Sequence, residues 1–243
     1  MGVEPWSTEQ GVAGLAQVNF LGPYTLTRRL APQLLEGRGG AGGRVVNVAS
    51  VMHRFSQLPP EPHLFLKDWW RGGAYRCCKL ANVVFTLLLE QQRERLAAQG
   101  RPGITALAVD PGAVYSGIWA TSRWLGRPPG SWVLSSLFAP PADAAATSFH
   151  AAAAKEVQGG QYFARGLFAS PAIVQGRVEA ASGLLSCVDW PLRQLSGGRL
   201  AADIAAVEVA EEARAVATDG RGVALWDAAA ELAGLSSWAS NVL

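Results

Sequence analysis

Tyr75 and Lys79 stand four residues apart in AYRCCKLANVVF, after Ser50 in RVVNVAS and Asn19 in QVNFLG. Positions i and i+4 of a helix share one face, so the phenol and the ammonium are neighbours. A tyrosine hydroxyl can give or take a proton once its pKa of about 10 is brought toward neutrality. A nearby cationic lysine favours the phenolate. A serine hydroxyl at a strand end can hold a substrate oxygen beside that phenol. These residue types suit proton transfer at an oxygen whose carbon gains or loses a hydride. Pro111-Gly112 is a second such strand end, where a glycine lets the backbone approach a flat ring closely.

The elements that must position these groups can be read from the pattern. Ser7 with Gln10 forms a candidate capping box, and apolar residues from Val12 to Leu34 fit a long helix to about residue 35. Pro23 and Pro32 predict a kink or a split in it. The run Gly37 to Gly43 reads as a stop and a flexible loop. It follows a helix and precedes a strand, the reverse of the order that seats a pyrophosphate on a helix amino terminus. Val45 to Val48 reads as a short strand, residues 51–73 as a long connection, 74–98 as a helix and 104–109 as a second strand. That order predicts two parallel strands joined by a crossover helix, with Ser50 and Pro111-Gly112 at their carboxyl ends, where ligands of open α/β sheets bind. Residues 113–140 read as loop, with Trp119, Trp124 and Trp132 hinting at an apolar ligand. A helix is expected from Asp143 to Lys155, started by Pro141, and a short final strand within Gly159 to Gly166. A further helix is expected at 201–217 and a last one at 225–235. The whole reads as one domain over 1–243, with 170–225 an atypical or inserted segment.

Composition narrows the function classes. The chain is 49% apolar and 16% charged, with a net charge of +2, so a globular core is expected and a nucleic-acid partner is not. Three cysteines make no disulfide framework and fit a reducing compartment. His53, His63 and His150 have no nearby ligand partners, so no metal site is expected. No apolar run is long enough for a transmembrane segment. WVLSSLFAPP can at most lie on a membrane surface or form a pocket lid, so a cytoplasmic location, or one peripheral to a membrane, is expected.

Taken in order, these stretches resemble a known family. TEQGVAGLAQVNFLGPYTLTRRLAPQLL, GRVVNVASVMH, AYRCCKLANVVFTLLLEQQRERL, ITALAVDPGAVYS and LWDAAAELAGL look like the short-chain dehydrogenase/reductases, in their retinol-dehydrogenase-like or WW-domain-oxidoreductase-like branch. The resemblance covers roughly residues 7–165 and 225–235. It implies an α/β fold, the carboxyl-terminal portion of a Rossmann-like doubly wound parallel sheet with its first strands missing. It implies an NAD(P)-dependent oxidoreductase acting on a small apolar alcohol or carbonyl such as a retinoid, steroid or lipid. Asn19 would hold a water in the proton relay, Ser50 would orient the substrate oxygen and Tyr75 would be the acid/base. Lys79 would contact the nicotinamide ribose and tune Tyr75. Pro111 and Gly112 would sit at the nicotinamide, and Ser116 would meet its carboxamide or a phosphate. The family's glycine-rich loop for NADP or NAD is not found ahead of Asn19, so the chain as given is expected to be inactive by itself. The strand at 45–48 is expected to lose its inner neighbour and expose an apolar edge. The alternative is a non-catalytic interaction or regulatory protein, forming a homo- or hetero-oligomer through helices 8–35 and 74–98.

Overall fold

A computed structural model of the chain describes residues 6–40, 42–67, 73–117, 119, 126–165 and 204–237. The first helical run comprises α1 (Gly14–Ala16), a π-helical segment (Gln17–Leu21) and α2 (Gly22–Gly40). It begins later than the capping box predicts. Ser7 instead pairs with Ala13 in a β-bridge, and the Thr8 hydroxyl accepts the Val12 N–H at 3.1 Å. It also ends later, because Gly37 to Gly40 continue the helix rather than stopping it. Gly42 then turns the chain at φ +78°, where a Cβ would lie 2.0 Å from the Gly103 carbonyl oxygen, so only glycine fits there.

β1 (Arg44–Val48) leads through a 3₁₀ turn (Val51–Phe55) and α3 (Leu64–Lys67) to α4 (Ala74–Ala98), then β2 (Thr105–Val109). α5 (Gly130–Leu137) corrects the expected loop, since WVLSSL is helical. α6 (Pro141–Ala153) has its proline at the start, where the missing N–H costs nothing. β3 (Tyr162–Ala164), β4 (Ala205–Val207), α7 (Glu211–Thr218) and α8 (Arg221–Leu232) follow. The helix expected at 201–217 is therefore half wrong: its first part is a strand, and Trp124 and residues 166–203 lie outside the described residues.

The four strands are ordered β1-β2-β3-β4, the first three parallel and β4 antiparallel to β3. Arg44 faces Thr105 and Val48 faces Val109, so both strands end at the same level. That is the β–α–β unit the sequence predicts. Side chains alternate across β2. Ala106 and Ala108 join the main core with α4, while Leu107 and Val109 join Ala151 of α6 and Phe163. Helices thus cover both faces, which is why β2 is apolar from Ala106 to Val109. The main core is closed by Tyr24, Phe85 and Trp226, whose rings meet at 5.2–6.2 Å. α4 is buried along most of its length, with α7 and α8 packed against it. Among the described residues, β1 pairs with β2 alone, and no helix is long and apolar enough to cross a membrane.

Candidate active site

Ser50 follows β1 in extended backbone (φ −169°, ψ 153°) and caps the 3₁₀ turn, its hydroxyl accepting the Met52 N–H at 3.4 Å. Tyr75 lies in the first turn of α4, with the Ser50 hydroxyl near enough to act as a hydrogen-bond partner that favours the phenolate. Lys79, one turn further, places its Nζ 5.4 Å from the centre of the Tyr75 ring. Three of the four expected catalytic side chains therefore meet at the carboxyl end of β1.

The electrostatics differ from the expectation. Burial, then the negative charge of Asp110, hold the Tyr75 phenol above its ordinary pKa, against the Ser50 hydrogen bond. Lys79 is not among the causes acting on it. The Lys79 ammonium is itself buried, which lowers its pKa, and it donates to the Val48 carbonyl at 2.9 Å. In this state the phenol is placed but not eased toward ionisation.

Asn19 is arranged differently from the other three. Its side chain turns back along its own helix, donating to the Leu15 carbonyl at 3.0 Å. Its backbone carbonyl is the part that faces the site. Pro23 has no N–H to bond it, and the helix passes through a π-helical turn there. Asn82 of α4 takes that carbonyl at 2.9 Å and reaches Val48 O at 3.4 Å. Asn19 is thus joined to Lys79 through Asn82 and the Val48 carbonyl.

Pro111, Gly112 and Ser116 lie in the turn after β2, half-buried, with Gly112 at φ +80°. The turn is held by Asp110, whose buried carboxylate accepts from Gly112 N at 2.9 Å, from Val51 N at 2.5 Å and from the Tyr162 hydroxyl at 3.2 Å. His53 is fully buried, its Nδ1 donating to the Ser50 carbonyl at 2.7 Å. No group of acidic, histidine or cysteine side chains among the described residues could hold a metal.

No family model matches the chain. Retinol dehydrogenase 12 of Homo sapiens is 37% identical over 163 residues, which is 65% of this chain and 48% of that protein. Polyprenol dehydrogenase of Mus musculus is 33% identical over 153 residues, 63% of this chain and 44% of its own length. A short-chain dehydrogenase/reductase of Armillaria gallica is 32% identical over 163 residues, 62% of this chain and 49% of that one. Over these residues the chain is similar to short-chain dehydrogenase/reductases of the retinol-dehydrogenase-like branch. It spans about half the length of the curated relatives it matches. An uncharacterised protein from Mycobacterium paratuberculosis shares the Rossmann-like fold. It superposes with a TM-score of 0.56 at 22% identity, over 98% of this chain and 65% of that one.

Three residues around this candidate site escape a sequence reading. Asp110 is masked by the Pro-Gly that follows it, which reads as a turn. Asn82 is masked by the apolar helix around it, although it sits three residues after Lys79 and so on the same face. His53 carries no motif at all. A polar residue within a run of buried apolar ones is the available signal for the first two, since buried polar groups must find partners.

Proposed function

We propose that the chain carries the proton-handling half of an NAD(P)-dependent oxidoreductase for an apolar alcohol or carbonyl. The observation that supports it is the Ser50–Tyr75 hydroxyl pair with Lys79 at the tyrosine ring. Ser50 would hold the substrate oxygen, and Tyr75 would pass a proton to or from it. Lys79, by moving its ammonium from Val48 O toward the phenol, would stabilise the phenolate. The Asn82 amide would keep the Asn19 and Val48 carbonyls in place during that exchange.

The residues fit one end of a nicotinamide dinucleotide. Gly112, at positive φ with no Cβ, can lie against a flat ring. Lys79 and Ser116 offer donors to a ribose and a carboxamide, beside Tyr75 and Pro111. When bound, the nicotinamide supplies or accepts the hydride. The named activities of the relatives, on retinol and polyprenol, make long apolar alcohols the first substrates to try.

The test joins a dinucleotide-binding segment from a relative ahead of residue 7 and follows nicotinamide absorbance with retinal or a polyprenal. Turnover is expected, and Tyr75→Phe is expected to lower it by about 100-fold or more. Equal turnover in Tyr75→Phe rejects the assignment. A second reading, a non-catalytic partner, draws on the exposed Val18, Leu26 and Leu30 along the first helical run. Self-association or complex formation that Leu26→Glu abolishes, without turnover in the joined protein, would favour it.

A further inference from the structure

We propose that Asp110 is the positioning residue of this site, an anion locked between the two strand-end loops that governs the charge state available to Tyr75 and Lys79. This rests on the proton-handling reading of Tyr75 and goes beyond it. The geometry carries the case. The carboxylate is 2% exposed at the end of β2. It bonds forward to Gly112 N, across to Val51 N in the loop after β1, and across to the Tyr162 hydroxyl of β3. One side chain therefore ties together the ends of all three parallel strands, directly behind Ser50 and the Pro111-Gly112 turn. Each of these three partners is a donor, and donors favour the ionised form. Burial works against them and displaces Asp110 upward from the ordinary carboxylate range.

The charged and titratable groups facing it come from every neighbouring element. Lys79 and Tyr75 approach from α4, Tyr162 from β3, and Arg54 from the 3₁₀ turn, where His53 lies against Tyr162. The anion favours the charged form of Lys79 and Arg54 and disfavours that of Tyr75 and Tyr162. It thus keeps the buried ammonium protonated and keeps the phenol neutral until something else compensates. A bound substrate oxygen or a repositioned Lys79 would be that compensation.

The experiment titrates the whole chain, labelled with carbon-13 at the tyrosine rings and the aspartate carboxyls, by NMR. The four tyrosines are Tyr24, Tyr75, Tyr115 and Tyr162, and Tyr75→Phe assigns the Tyr75 signal. Asp110→Asn keeps an acceptor toward Val51 N and Tyr162 and removes the charge. The Tyr75 midpoint is expected to move down in this variant, while Tyr24, which is governed by burial, Arg28 and Asp227, stays put and reports an intact fold. A Tyr75 midpoint that does not move in the folded variant overturns the proposal, because a merely structural latch would leave it there. Should Asp110→Asn not fold, the unsubstituted chain decides. Its Tyr75 signal is expected to show a small second inflection coinciding with titration of the Asp110 carboxyl carbon below neutrality. Absence of that inflection, or an Asp110 carboxyl still protonated at pH 7, overturns it. None of these outcomes depends on turnover, so the oxidoreductase assignment stands or falls separately.

Discussion

Tyr75, Ser50 and Lys79 were legible because each type carries its chemistry and its spacing fixes its face. The protonation of Tyr75 and Lys79 was not legible, because it depends first on burial and then on charges such as Asp110, a residue thirty-five positions from Tyr75 along the chain. His53 shows the same limit. Burial, followed by the positive charge of Arg54, overrides the hydrogen bond to Ser50 O and brings its pKa down to about 3. In the unfolded chain the imidazole titrates near about 6.5. Between those values the unfolded state binds the extra proton, so stability is complete above about pH 6.5 and falls as the pH drops toward 3. The slope contributed by His53 approaches about 1.4 kcal/mol per pH unit within that window. Urea midpoints at pH 7.5 and 4.5 are expected to differ clearly, and His53→Gln is expected to shrink the difference. Asp110, displaced upward, contributes with the opposite sign over the lower part of the window, so the variant rather than the raw curve isolates His53. An undiminished pH dependence in His53→Gln would mean that the buried imidazole is not its source.

The β–α–β unit was readable because β-branched runs, a helical period and a terminal Pro-Gly all agree on it. The first helical run was readable in outline, and Pro23 marked where it would depart from an α-helix. The consequence of that departure was hidden, since the freed Asn19 carbonyl is satisfied by a residue sixty-three positions later. β4 was misread because Ile204, Ala205, Ala206 and Val207 suit either a helix or a strand, and pairing with β3 decides between them. Asn82 is the seam between these elements, joining the π-helical segment, α4 and the end of β1. Asn82→Ala takes the side-chain donor from the Asn19 carbonyl, while Val48 O keeps Lys79, and a loss of about 1–3 kcal/mol is expected by chemical denaturation. Asn19→Ala removes only the bond back to Leu15 O and is expected to cost less. Equal losses in the two variants would show that the seam does not run through Asn82.

The molecule is held together by residues from its two ends. Tyr24 donates its hydroxyl to the Trp226 carbonyl at 3.0 Å, and Phe85 of α4 lies against both rings. A sequence reading finds α8 by its pattern, but not that it closes the core over α4. The position of Trp226 in that closure makes its removal the strongest test of the fold. Trp226 is fully buried, so Trp226→Ala loses its transfer free energy and leaves a cavity between α2, α4 and α8, about 3–5 kcal/mol together. For a chain of this size that corresponds to a fall in Tm of roughly 6–20 °C, a large share of a typical total stability of about 5–15 kcal/mol. Trp132 is 67% exposed on α5 and supplies the control, since Trp132→Ala is expected to change stability by about 0.5 kcal/mol or less. Circular dichroism melts of the two variants separate the cases. A Trp226→Ala protein that melts as the parent does would detach α8 from the core. It would also remove the support that keeps α4, and with it Tyr75 and Lys79, pressed against the strand ends.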